Sequence, residues 1–225
     1  MYEIRKHPMD LVLVCGWNAD YREAKRLIEE GVNIHYNEEE ALRLAAAHGR
    51  LNIVKLLVEA GADINAKGGE ALIHAAYSGH YGVVRYLVER GADIRAGNNA
   101  AIIWAAAHGH LRILKLLISK GADIHVLDNF PLRFALQGKR STGKDFAGQL
   151  DTRDDILQED LDKQFPIIRY LIKKGADVRA IPKLLIKPIL NRLSKKELLP
   201  FLMSSDSEIR EAAKERFEMG NSRKR

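Results

Sequence analysis

Residues 138–144, Gly-Lys-Arg-Ser-Thr-Gly-Lys, have the spacing G-x-x-x-x-G-K. In that arrangement a glycine-rich loop cradles phosphates and the lysine reaches the terminal ones. Asp145 follows, where Ser or Thr would hold magnesium, and the motif needs a strand before it, whereas Leu132 to Gln137 reads as a helix. The match is accidental on this reading, and no nucleotide is expected. His48, His80, His108 and His110 recur at one or two per 30 residues, with no cysteine near them. Zinc requires about four ligands converging on one point, whereas repeated units hold equivalent side chains apart. No metal and no other cofactor is expected. The single cysteine, Cys15, lies in the apolar run Leu11 to Cys15. It reads as a buried small hydrophobe rather than a reactive thiol. No Gly-x-Ser-x-Gly, Cys–His context or converging carboxylate pair is present. The expectation is a protein that binds rather than catalyses.

The composition agrees. A hydrophobic fraction of 46% and a charged fraction of 29% are ordinary for a soluble chain. No apolar run approaches the ~20 residues of a membrane span. The first residues carry Glu3 and Asp10, so a signal peptide is not expected, and an intracellular, cytoplasmic location is. Residues 163–225 hold 16 basic and 7 acidic side chains, a net of +9. With a whole-chain net charge of +6, the first 162 residues stand at −3.

The elements that would position any site come from a repeat. Gly-Ala-Asp-Ile occurs at 61–64, 91–94 and 121–124, with Gly31-Val32-Asn33-Ile34 before and Gly175-Ala176-Asp177-Val178 after. The glycines at 31, 61, 91 and 121 are 30 residues apart, and Gly175 follows 54 residues later. A fixed period of this size signals stacked supersecondary units. Each glycine ends an apolar helical run such as Ile53 to Val58, where a left-handed cap is needed. Three full units run Glu40 to Gly69, Glu70 to Asn99 and Ala100 to Asn129. Each has a short first helix (EALRLAAAHG, EALIHAAYSG, AAIIWAAAHG), a turn, and a second helix (LNIVKLLVEA, YGVVRYLVER, LRILKLLISK).

The pairs Ala45-Ala46, Ala75-Ala76 and Ala105-Ala106, the Gly79-His80 and Gly109-His110 turns and the Gly-Ala-Asp endings resemble the ankyrin repeat over roughly residues 9–180. Two features depart from it. The family period is ~33, so each unit is three residues short and its protruding finger should be trimmed. The Thr-Pro-Leu-His helix start is replaced by Glu70-Ala71-Leu72-Ile73, with a trace left in Pro131-Leu132. Short units of this kind are similar to the ankyrin arrays of giant DNA viruses, and bacterial and phage chains can carry them too; a viral origin would place the chain in a host cytoplasm. The resemblance implies an all-α solenoid of about five helix-turn-helix units. It also implies that the turn histidines bond backbone groups of neighbouring loops.

The expected layout is a capping unit over 1–38, repeats over 39–180 and a basic helical cap and tail over 181–225. Residues 1–8, ending in His7-Pro8, read as a poorly ordered lead-in. The polar face of Arg22, Glu23, Lys25, Arg26, Glu29 and Glu30 suits a terminal cap. In the fifth unit, matching Ile113 to Ile167 puts 24 extra residues at about 139–162, with Asp151 to Lys163 as a short helix and the second helix resuming at Gln164. Such an insert is either a binding loop or a tolerated surface loop. Beyond Pro182, helices are expected over Lys183 to Leu193, from the capping box Ser194-Lys195-Lys196-Glu197 until Pro200 stops it, and from Ser205 onward with Ile209, Ala212, Ala213 and Phe217 inward. Asn221 to Arg225 reads as a frayed basic tail. Trp104 takes an apolar position of the pattern and is expected in the core.

The resemblance implies recognition of another protein by a monomeric scaffold, on a concave face made of finger tips and first helices. Unit by unit this assigns Ala47 and His48, Tyr77 and Ser78, and Ala107 and His108 on the helices, with Arg43 and Ile73 at the family's first-helix histidine position. The fingers contribute Tyr36, Asn37, Glu38, Lys67, Asn98, Asn99, Leu127 and Asp128. Tyr36, Arg43, Tyr77 and Asn98-Asn99 are the expected anchors, since tyrosine and arginine are common ones. One alternative is nucleic-acid or acidic-surface binding through Lys183, Lys187, Arg192, Lys195, Lys196, Arg210, Lys214 and Arg216. Against it, Glu208, Glu211, Glu215 and Glu218 interleave with those cations. Another is a spacer in a larger assembly.

The alanine pairs let neighbouring first helices approach closely. Ala75→Leu or Ala105→Leu should overpack that contact and lower stability by ~1–3 kcal/mol in chemical denaturation.

Overall fold

In the computed structural model the described residues, 7–137 and 158–222, fold as helices and turns with no strand among them. The chain divides into two compact units, Met1–Asp123 and Ile124–Arg225. The first contains α1 (Pro8–Leu13), a π-helical turn (Val14–Asn18), α2 (Tyr21–Glu29), α3 (Tyr36–Ala47), α4 (Leu51–Glu59), α5 (Ala66–Ser78), α6 (Tyr81–Glu89), α7 (Ala96–Ala107) and α8 (Leu111–Ser119). First helices α3, α5 and α7 pack side by side, and second helices α4, α6 and α8 form the layer behind them. Ala45, Ala46, Ala75, Ala76, Ala105 and Ala106 are fully buried in the first-helix layer. Ile53, Val54, Leu57 and their equivalents fill the space between layers.

His7 and Pro8 are not a lead-in. The His7 ring accepts from the Met9 amide at 3.1 Å, and Pro8, whose missing N–H costs nothing there, opens α1. Cys15 is buried within the π-helical turn, and that burial pushes its thiol up to about 12.

Each repeated motif has a physical task. Gly61 caps α4 at φ 100° while the Ala62 amide returns to the Leu57 carbonyl at 3.0 Å. The Asp that follows turns the chain, accepting the amide two residues on: Asp63 from Asn65 at 2.9 Å, Asp93 from Arg95 at 2.8 Å. The trimmed fingers are three successive left-handed residues: 37–39, 67–69, 97–99 and, in the second unit, 127–129. Right-handed helix takes over at the next residue. The turn histidines reach backwards across units, as the resemblance implied. His80 Nε2 donates to the Ala47 carbonyl and His110 Nε2 to the Tyr77 carbonyl, each at 3.0 Å. His48 and His108 instead donate Nδ1 to Leu44 and Trp104 carbonyls in their own helices.

The second unit holds α9 (Val126–Gln137), α10 (Gln158–Lys173), a 3₁₀ turn (Val178–Ala180), α11 (Lys183–Arg192), a second 3₁₀ turn (Lys195–Leu198), α12 (Leu199–Leu202) and α13 (Ser207–Ser222). Leu132, Ala135, Ile168 and Leu171 are among its fully buried residues. Of the expected insertion, 139–157 lie outside the described residues, as do the 138–144 motif and 223–225. Residues 132–137 lie in α9, so no strand precedes that motif. The break expected before Gln164 does not occur, because α10 runs unbroken from Gln158 through Pro166. Arg192, bonded to Asp162 at 2.6 Å, ties this early turn to α11. Pro200 does not stop a helix but sits in the first turn of α12, where its fixed φ and missing N–H are tolerated. The expected capping box is present: Glu197 Oε2 accepts from the Ser194 amide at 3.0 Å. Its Oε1 accepts from Arg169 Nε at 2.5 Å, tying α10 to the C-terminal helices.

Two outcomes follow from these contacts. A Cβ on Gly79, at φ 82°, would lie 2.5 Å from the His110 ring. Gly79→Ala should therefore break the lock and destabilise the first unit by about 2–3 kcal/mol in urea unfolding. The Arg169 guanidinium and the Ser194 cap hold the Glu197 carboxyl down at about 2, against 4.5. A carboxyl lowered on folding stabilises above its unfolded value and loses that contribution as pH falls towards the folded one. Glu197→Gln should thus lower Tm at neutral pH, with the difference from the parent chain closing between about pH 4.5 and 2.

Candidate functional site

On the exposed face of the first-helix layer, residues 30 apart occupy equivalent places. Trp17, Ala47, Tyr77 and Ala107 form one row, and Leu13, Arg43, Ile73 and Ile103 another. Trp17 is 70% exposed and packs near His48, ring centroids 5.9 Å apart. Tyr77 is 48% exposed. Its ring meets Trp104 edge-on at 5.3 Å and His108 at 4.3 Å, which fixes its direction. Its main chain is held by His110 from the next turn. Between these rings and α3 lies a groove of about 400 Å³ lined by Ala47, Ile73, His74, Tyr77, Ser78 and Trp104. None of the six carries a fixed charge. Apolar walls with a few polar groups are the ordinary make-up of a binding groove.

The structure sorts the expected site residues. Ala47, Ile73, Tyr77 and Ser78 are brought together in the groove, with His48 and His108 beside it. Ala107 shares the register of Tyr77 but is fully buried. Its methyl is too short to rise past the Trp104 and His108 rings of its own helix, so it offers no surface. Arg43 is also spent inside the array. Its guanidinium donates to the carbonyls of Glu38 and Asn37, both at 3.0 Å, and to Glu70 Oε2 at 2.8 Å. With only 11% of its side chain exposed, it holds the left-handed finger rather than a partner. Lys67, 3.7 Å from the same Glu70, stays exposed, as do Asn37, Glu38 and Asn98. Tyr36 is half-buried, with its ring 6.1 Å from His7. Asn99 is half-buried, and its Oδ1 is buried without a hydrogen bond. Leu127 and Asp128 belong to the second unit, both exposed, with Asp128 3.7 Å from Arg133.

Two groove residues were not expected. Trp104 and His74 fall in the row 14, 44, 74, 104, otherwise Val and Leu, so the pattern marks them as core. Trp104 is half-buried instead, because an indole is too large for the space that Leu44 fills and one edge remains at the surface.

Four of the eight basic C-terminal residues are paired with carboxylates in place. Lys183 pairs with Glu208 at 2.6 Å, Lys187 with Glu215 at 3.9 Å, Lys214 with Glu211 at 3.9 Å and Arg192 with Asp162. Arg210 donates to the Ser204 carbonyl, and Lys195 lies 4.9 Å from the Phe217 ring centre. Among the described residues only Lys196 and Arg216 of the eight make no such contact. Among the described residues, cations and carboxylates alternate along this end.

Among the described residues no group of three or more His, Cys, Asp or Glu could hold a metal, and no helix is long and apolar enough to cross a membrane. A search of curated proteins returns no match. The family model for ankyrin repeats in three copies matches residues 11–68 and 65–128, more than half of the chain and all three regular units. Its shortened period notwithstanding, the chain belongs to the ankyrin-repeat family.

Proposed function

We propose that this chain is a non-enzymatic scaffold that holds a partner protein on the first-helix face of its first unit, centred on Tyr77. Ankyrin repeats in general are protein-interaction modules. The observation that carries the assignment to this face is the groove of about 400 Å³ beside a tyrosine fixed from three sides. Large exposed apolar side chains on a rigid surface mark interaction sites. A rigid aromatic loses little conformational freedom on binding, which is why such residues dominate interface energetics. Trp17, two units away in the same row, extends the apolar surface towards the amino terminus. Binding is by preorganised fit, with no bond made or broken.

Tyr77→Ala should weaken capture of a discrete partner from native lysate by roughly 30-fold, about 2 kcal/mol. The far-ultraviolet spectrum and Tm should stay near those of the parent chain. Retention of the same partner by Tyr77→Ala, or loss of all capture once salt is raised to about 0.5 M, would contradict the assignment.

A further inference from the structure

Seven of the eight histidines are committed within the chain. His7 caps α1, His35 meets Glu39 and His125 meets Asn129 through ring nitrogens. His48, His80, His108 and His110 donate to backbone carbonyls. His74 is the exception: among the described residues its ring makes no hydrogen bond, although it lines the groove and is half-buried. It also stands in a row whose other members in the first unit are Val14, Leu44 and Trp104. A polar side chain replacing an apolar one in such a row, left without a partner, costs stability unless something else supplies the bond. No hydrogen bond among the described residues of the first unit uses it.

We propose that His74 selects the partner, hydrogen-bonding through its imidazole to an uncharged polar group, a backbone amide or hydroxyl, that lies beside an apolar side chain seated between Ile73, Tyr77 and Trp104. This rests on the reading of the groove given above and names its chemistry. Charge matching argues for the uncharged segment. The lining residues Ala47, Ile73, Tyr77, Ser78 and Trp104 hold no charge. Arg43, the nearest guanidinium, is already used by Glu70 and two carbonyls. A carboxylate or ammonium entering the groove would lose its water and gain no ion pair.

The groups around His74 make the contact sensitive to acid. From its own element it faces Lys67, Glu70 and Tyr77, from α3 Arg43, and from α7 the uncharged Trp104 with His108 one ring beyond. Burial lowers its pKa below the ordinary 6.5, Glu70 opposes that, and Arg43 and Lys67 add to it. The ring is therefore neutral at pH 7, and a partner closing over it buries it further. Once the ring protonates, one of its nitrogens can no longer accept, and a charge is shut in with the partner. Affinity should then fall about tenfold for each pH unit below the histidine's pKa.

The test uses a phage-displayed library of random 12-residue peptides selected on the full chain at about pH 7.5. Affinities of the selected peptides are measured against the parent chain, Tyr77→Ala, His74→Leu and His74→Gln. Leucine is what position 44 already holds, so His74→Leu should fold, and circular dichroism at each pH checks all four chains. The expected result is a set of peptides that need Tyr77, bind His74→Leu at least about tenfold more weakly, and weaken as the pH falls through the histidine's pKa, which lies below the ordinary 6.5. His74→Gln, which hydrogen-bonds without titrating, should bind with less than about twofold change over that range. Tyr77-dependent peptides that bind His74→Leu undiminished, or that ignore pH on the parent chain, would overturn the role of His74 and leave the groove standing. Peptides indifferent to Tyr77, or none selected at all, would overturn the groove as well.

Discussion

The bond from a turn histidine to the last carbonyls of the preceding first helix fixes the register of the array. A helix ends with carbonyls that have no partner inside it. Here two of them, Ala47 and Tyr77, are taken by His80 and His110 of the next unit. The ring lies so close to Gly49 and Gly79 that a Cβ on either would collide with it. One contact thus satisfies an orphan acceptor, spaces neighbouring units and dictates a glycine. The residues whose carbonyls are captured are groove residues. The interaction that stacks the repeats therefore also holds the groove still.

The fingers show how the shortened period is accommodated. Three left-handed residues in a row cost roughly 1–2 kcal/mol each for side chains other than glycine. Glycine and asparagine lighten that cost at 37, 68, 69, 97, 98, 99 and 129, but Glu38, Glu39, Lys67 and Leu127 carry it in full. In the first finger Arg43 offsets it by binding the carbonyls of Asn37 and Glu38. The arginine is thereby held inside the array, while Tyr77 stays exposed on its helix.

Much of the fold was legible because it rests on period. The recurring Gly-Ala-Asp, the alanine pairs and the 30-residue step led to helix pairs and buried alanines, and the family resemblance led to the bridging histidines, two of the four turn histidines. The site was legible in register but less so in detail. The exposure of Tyr77 was legible because its position is a variable one, and Ala107 was placed beside it by the same rule although it is buried. Arg43 was misjudged because its chemistry suits either an interface or a finger clamp, and only three-dimensional contact separates the two. His74 and Trp104 were missed because periodicity assigns a face to a position, not a volume or a hydrogen bond to its side chain. At the C-terminal end Pro200 was taken as a stop because proline breaks helix interiors, yet the first turn admits it. The glutamates interleaved there did signal the ion pairs that four of the eight basic residues make.

The central claim is that the first-helix face of the first unit is where a partner binds. Amide hydrogen exchange of the full chain, alone and saturated with a captured partner, tests it most directly, since bound surfaces exchange more slowly. The account predicts added protection at the C-terminal halves of α3, α5 and α7, centred on residues 73–78, with the second helices α4, α6 and α8 unchanged. Protection confined to the second helices or to residues 183–222 would contradict it.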